Sequence, residues 1–297
     1  MPDAMPRLNP VLMVILDGWG VNPNPRANAI AIANPPFWNS LLAKHAHTTL
    51  KCGGKAVGLP DDQFGNSEVG HLNLGAGRVV GQDISRIDDD IKSGEFFQNP
   101  AFLAAIKQAG NRGRIHLMGL VSDGGVHSSD RHYKALLHIF KKQGFDGSRV
   151  CFHVITDGRD TSPKGSPGYV SALEEEMERT GVGFVASVSG RYYAMDRDTN
   201  WDRTSLYYDL VTLGQGEVAP NAIAAIEASH EAGVTDEFIK PTLIARHGGA
   251  GLGRISDGDV VIFFNFRADR ARQMCRALTE GADFDKKGFS RKAKPAI

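Results

Sequence analysis

Arg114-Ile115-His116-Leu117-Met118-Gly119-Leu120-Val121, running straight into Ser122-Asp123-Gly124-Gly125-Val126-His127, decides the fold class. An apolar run of strand length stops at a polar cluster containing two glycines, and an amphipathic stretch over residues 132–143 follows. The unit recurs downstream. Strands are expected at residues 150–155, 184–188 and 259–265, alternating with helices at residues 169–179, 201–213, 221–232 and 268–278. Strands that read as continuous apolar runs, separated by helical stretches, predict an α/β fold with a mainly parallel sheet. Towards the N-terminus, residues 11–16 read as a further buried strand. Residues 29–44 read as helical but interrupted at Pro35 and Pro36, and residues 65–77 read as a glycine-rich loop entering a short helix.

Polar residues gather where the expected strands end. Asp17-Gly18 follows the first, and Asp157-Gly158-Arg159-Asp160, Ser189-Gly190-Arg191 and Phe266-Arg267-Ala268-Asp269-Arg270 follow later ones. Open parallel sheets bind ligands beyond the carboxyl ends of their strands. Arg159, Arg191, Arg197, Arg267 and Arg270 lie near those ends. Guanidinium groups make bidentate bonds to carboxylate and phosphate, so the set suits an anionic ligand; the plainer alternative is surface salt bridging. A lone histidine is more often structural, but Gly124 and Gly125 form a tight turn that would present His127 to the same pocket. Asp17, at a strand end, suits a divalent metal or a phosphate, or simply a turn. Ser67, in Gly65-Asn66-Ser67-Glu68-Val69-Gly70-His71, is either an ordinary helix cap or a nucleophile at a helix start, where backbone N–H groups favour an anion.

The bulk properties narrow the partners. Lys+Arg and Asp+Glu both number 34, so the formal net charge is zero, which argues against a nucleic-acid tail or a polybasic membrane patch. Three cysteines at unrelated spacings give neither a zinc motif nor a disulfide framework, and a reducing, cytoplasmic setting is expected. The apolar run at residues 11–16 is too short for a signal peptide, and no stretch approaches the roughly 20 apolar residues of a membrane helix.

Taken in order, these segments resemble the cofactor-independent phosphoglycerate mutases of the alkaline-phosphatase-like superfamily. The resemblance is carried by Leu16-Asp17-Gly18-Trp19-Gly20, the Ser67 segment, Asn73-Leu74-Gly75-Ala76-Gly77-Arg78 and Ser122-Asp123-Gly124-Gly125-Val126-His127-Ser128. It continues through Asp157-Gly158-Arg159-Asp160, Gly190-Arg191-Tyr192-Tyr193-Ala194-Met195-Asp196-Arg197 and Phe264-Asn265-Phe266-Arg267-Ala268-Asp269-Arg270. It implies a parallel-sheet phosphatase-like domain, incomplete here, interrupted by an inserted α/β substrate domain. Residues 1–80 would be the first piece of the former and residues 81–297 the latter.

The resemblance also implies roles. Asp17 and Ser67 would contact metal, and Ser67 would carry the phosphoryl group. Asp160 would move protons, and His127, Arg159, Asp160, Arg191, Arg197, Arg267 and Arg270 would hold substrate. The implied reaction interconverts 3-phosphoglycerate and 2-phosphoglycerate through a phosphoserine. It would use two divalent ions, manganese expected, and no 2,3-bisphosphoglycerate. The complete protein would be a cytoplasmic monomer with no nucleic-acid or membrane partner. The family's later Asp/His-rich metal block has no counterpart in this sequence, so the chain is expected to be inactive alone. A related phosphatase or phosphopentomutase, or a phosphoglycerate-binding module without activity, are the competing readings.

Overall fold

The computed structural model describes residues 10–61, 63–245 and 253–297. Two compact units divide the chain, Met1–Gln82 and Asp83–Ile297.

The first unit is short of buried surface. Its helices are α1 (Ala29–Ala33), α2 (Pro36–Lys44) and α3 (Ser67–Ala76). Asn28 caps α1 by accepting the Ala31 N–H at 3.1 Å, and Asn34, with φ of 44°, ends it. Pro36 then opens α2 at its first turn, where a missing N–H is no loss, so the prolines stop one helix and start the next. Among the described residues of this unit, Val57, Leu59 and Val69 are the buried apolar ones. Residues 11–16 differ from expectation. They form neither a strand nor part of a core; Val11 is 96% and Leu12 85% exposed. A strand needs a neighbour to satisfy its N–H and C=O groups, and the described residues of this unit contain no other strand.

The second unit is a sheet covered on both faces. In chain order it contains α4 (Asp83–Ser93), α5 (Pro100–Ala109), β1 (Ile115–Leu120), α6 (Asp130–Lys142), β2 (Val150–Thr156) and α7 (Ser166–Thr180). There follow β3 (Phe184–Gly190), α8 (Arg191–Ala194), α9 (Trp201–Leu213), β4 (Glu217–Ala219) and α10 (Ala222–Glu231). The last elements are β5 (Thr242–Ile244), β6 (Val260–Phe263) and α11 (Arg272–Thr279). The sheet order is β4-β5-β3-β2-β1-β6. β6, β1, β2 and β3 run parallel, whereas β5 is antiparallel to β3 and carries β4 alongside it. All of β1 and β2 is buried, as expected of parallel strands sandwiched between helices. Ile115 and Leu117 pack on one face with Tyr133, Phe140 and Phe152; Met118 and Leu120 pack on the other with Tyr208, Leu210 and Met274.

Polar groups also cross the interior of the sheet. His116 Nε2 lies 3.1 Å from Asp259 Oδ2 and its Nδ1 2.9 Å from His153 Nε2, while His153 Nδ1 meets Ser187 Oγ at 2.8 Å. Both histidines are fully buried, and burial pushes both below their ordinary pKa. No helix among the described residues is long and apolar enough to cross a membrane.

Candidate functional site

Parallel strands start from one side of a sheet and so deliver their following loops to one edge. The loops after β1, β2, β3 and β6 bring His127, Asp157, Asp160, Arg191, Arg267 and Arg270 to that edge. Arg191, at the first position of α8, is 3% exposed. Its Nη1 donates to Asp157 Oδ1 at 2.7 Å and to Asp160 Oδ2 at 2.5 Å, and its Nη2 donates to His127 Nε2 at 3.0 Å.

Asp157 organises this arrangement. It accepts the Ser122 hydroxyl at 2.8 Å and the backbone N–H groups of Arg159 and Asp160 at 3.2 and 3.0 Å. Burial alone would push its carboxyl up. The Asp160 N–H, the Arg191 charge and the Ser122 hydroxyl outweigh that and hold it below its usual value, so Asp157 is a fixed anion.

The geometry also fixes the state of His127. Arg191 only donates, so Nε2 is an acceptor and Nδ1 carries the ring proton. Burial first, then the Arg191 charge, pushes its pKa down to about 4, which leaves the ring neutral near pH 7. Nδ1 is buried and faces Asp269 Oδ1 at 3.7 Å, beyond hydrogen-bonding reach.

Asp269 ties together the remaining arginines. It meets Arg197 Nη1 at 2.8 Å and Arg267 Nε at 3.2 Å. Arg270 is half-buried, and its Nη1 donates to the Met195 carbonyl at 3.3 Å. Burial, followed by the charges of Arg191, Arg197 and Arg159, lowers its pKa. Like charges gathered this way are a receptor for an anion. Arg159 is the most peripheral member, with its guanidinium 3.5 Å from Glu237.

Asp17 and Ser67 form a separate constellation in the first unit. Gly65 lets the chain enter α3, since a Cβ there would stand 1.6 Å from the Cys52 carbonyl oxygen. Asn66, not Ser67, is the cap: its side chain accepts the Val69 N–H at 3.1 Å. Ser67 therefore occupies the first helical position with its hydroxyl available, and that hydroxyl donates to Asp17 Oδ2 at 2.7 Å across 50 residues of sequence. His71, one turn on, lies with Nδ1 2.8 Å from the Ser67 carbonyl and 3.2 Å from Ser67 Oγ. Asp17 and Ser67 put two oxygen donors side by side. Among the described residues, however, no group of three His, Cys, Asp or Glu side chains is placed to hold a metal ion. A divalent ion needs more ligands than these two, so the described residues alone do not make a metal centre.

Asp157, Asp269 and Ser122 are organising residues that the sequence did not single out. Their position within the strand-end clusters was the available signal; what they bind is a tertiary property.

The family described as BPG-independent PGAM N-terminus matches residues 87–296. A 2,3-bisphosphoglycerate-independent phosphoglycerate mutase from Thermomicrobium roseum is 54% identical over 275 residues, covering 92% of this chain and 52% of the relative. One from Clostridium perfringens is 50% identical over 284 residues, covering 95% and 54%. A crystal structure of Leishmania mexicana phosphoglycerate mutase, determined at low cobalt concentration, superposes with a TM-score of 0.83 at 35% identity, over 95% of this chain and 52% of that one. The chain thus spans about half the length of these relatives. The chain therefore belongs to the BPG-independent phosphoglycerate mutase family and matches the N-terminal part of its members.

Proposed function

We propose that the second unit is the substrate domain of a mutase that interconverts 3-phosphoglycerate and 2-phosphoglycerate, and that Ser67 is the residue transiently phosphorylated. The observation that carries the reading is the guanidinium cluster. Arg270 is half-buried and feels the charges of Arg191, Arg197 and Arg159, an arrangement that a ligand bearing both a carboxylate and a phosphate would neutralise. Arg191, locked between Asp157, Asp160 and His127, presents a preset geometry to that ligand.

In this reading Ser67 Oγ attacks phosphorus, the bond from phosphorus to the C3 oxygen breaks, and glycerate remains held by the arginines. The Ser67 proton has a ready acceptor in Asp17 Oδ2. The leaving C3 oxygen needs a proton, and the Asp160 carboxylate relays one to it from the C2 hydroxyl of the same glycerate. The C2 oxygen, now deprotonated, takes the phosphoryl group from Ser67, and Asp17 returns the proton to the Ser67 oxygen as its bond to phosphorus breaks. Retention of glycerate distinguishes this mutase from a phosphatase, and the arginines gathered around the buried Arg191 are the residues suited to it. The divalent ions of the implied reaction, manganese foremost, require ligands beyond Asp17 and Ser67.

The test is a chimera joining this chain to the C-terminal half of the Thermomicrobium roseum relative. It should convert 3-phosphoglycerate to 2-phosphoglycerate in a coupled assay. Ser67→Ala should abolish turnover and phosphoserine formation while leaving the melting temperature unchanged. Retention of more than a small fraction of the rate by that variant would remove Ser67 from the nucleophile role.

A further inference from the structure

Gln273, in the first turn of α11, is 7% exposed and uses both ends of its amide. Its Nε2 donates to Asp196 Oδ2 at 2.8 Å and to Thr204 Oγ1 on α9 at 2.7 Å, and its Oε1 accepts the Thr199 N–H at 3.0 Å. The orientation of the amide is unambiguous: an ionised Asp196 only accepts and a backbone N–H only donates. Asp196 is ionised. Burial pushes its carboxyl up, but hydrogen bonds from Asn200 and Gln273 hold it below its usual value.

These contacts enclose the segment that carries Arg197. Asp196 Oδ2 also accepts the Asp198 and Asn200 N–H groups at 3.2 and 2.8 Å, so the chain curls around one carboxylate. The curl holds Thr199 at φ of 60°, a left-handed conformation that a β-branched residue adopts only under constraint. Gln273 grips that residue's N–H directly. Because Gln273 follows Arg267 and Arg270 in the chain, it couples the position of the Arg197 loop to the segment bearing the other two arginines. Arg197 and that segment then meet at Asp269.

We propose that Gln273 is a positioning residue for substrate binding: it fixes the Arg197 loop so that Arg197 and the Arg267–Arg270 segment address one ligand. The proposal rests on the phosphoglycerate-binding reading of the pocket. Gln273→Met keeps volume and removes the amide.

The experiment is calorimetric titration of 3-phosphoglycerate into the 297-residue chain and its variants. Gln273→Met should weaken binding roughly tenfold, and the loss should largely vanish when Arg197→Ala is already present. That non-additivity is the readout that general loosening of the fold would not give. If Gln273→Met does not fold, as judged by circular dichroism, Thr204→Val removes one hydrogen bond of the same clamp. It should show a smaller loss that again depends on Arg197. Full affinity in Gln273→Met, or in a folded Thr204→Val where that variant is used, overturns the proposal, as does a loss of equal size with and without Arg197. Arg191→Ala separates the two ideas. If it weakens binding while the clamp variants do not, the pocket reading stands and the Gln273 role falls. If the unmodified chain binds no 3-phosphoglycerate, or Arg191→Ala binds as well as it does, both fall.

Discussion

The two units hold their functional groups in opposite ways. In the second, Arg191 is buried and bonded to two carboxylates and a histidine, and Asp157 beneath it accepts hydrogen bonds from four residues. In the first, Ser67 and Asp17 are exposed and meet through a single hydrogen bond at the start of a helix. The proposed binding group Arg191 is thus held by burial on a sheet that the unit builds from its own strands. The serine is positioned by a loop and a capped helix and stays accessible, which suits a nucleophile. Rigid recognition and an open nucleophile are separate physical requirements, and on the proposed reading they fall on separate parts of the chain.

The contrast is most sharply broken by removing core volume. Phe152 is fully buried on β2 and packs against Tyr133 and Phe264, with ring centroids 5.8 and 5.3 Å away. Phe152→Ala should cost about 3–5 kcal/mol of the second unit's stability in urea denaturation followed by circular dichroism. A cost below about 1 kcal/mol would mean that this core is not what holds the pocket.

Acid should act next. Burial lowers the pKa of His116, His127, His132 and His153, all in the second unit, below the ordinary 6.5. Each is neutral in the fold and takes up a proton on unfolding below that value, so the unfolded state binds more protons. Stability is therefore full above about pH 6.5 and falls as pH drops below it, with His127 contributing up to about 1.4 kcal/mol per pH unit down to about pH 4 and the other three adding in the same direction. Denaturation midpoints measured from about pH 7 to about pH 5 check this, and a flat profile would contradict it.

The smallest effect belongs to the first unit. Leu12 is 85% exposed, so Leu12→Ser should change the urea midpoint by no more than about 0.5 kcal/mol equivalent. A large loss would show that residues 11–16 are packed in solution.

These elements also show what the sequence could reveal. β1 and β2 were legible because both their faces are buried, giving largely apolar runs; β3, buried but for its first residue, and β6, half-buried, still read as short apolar stretches. β4 and β5 are three residues each, too short to display a period. α4 carries Ile84, Ile87 and Ile91 at helical spacing, but the acidic run Asp88-Asp89-Asp90 obscured it. Asp88 is in fact buried, within 3.1 Å of His132 and 2.9 Å of Arg131, a partnership 44 residues away in sequence. Residues 11–16 failed as a strand for the complementary reason: apolar character can be read locally, but a pairing partner cannot. In the site, the arginines and His127 stood out as polar residues at strand ends. The organising parts of Asp157 and Asp269 depend on which cations the fold delivers to them.

The central claim is that the second unit carries a preset anion-binding pocket built around Arg191. Calorimetric titration of 3-phosphoglycerate into the unmodified chain and into Arg191→Ala tests it directly. The account predicts measurable binding that weakens by about 2 kcal/mol or more in the variant, the scale for losing one partner of a buried charge pair. Equal affinity of the two proteins would contradict it.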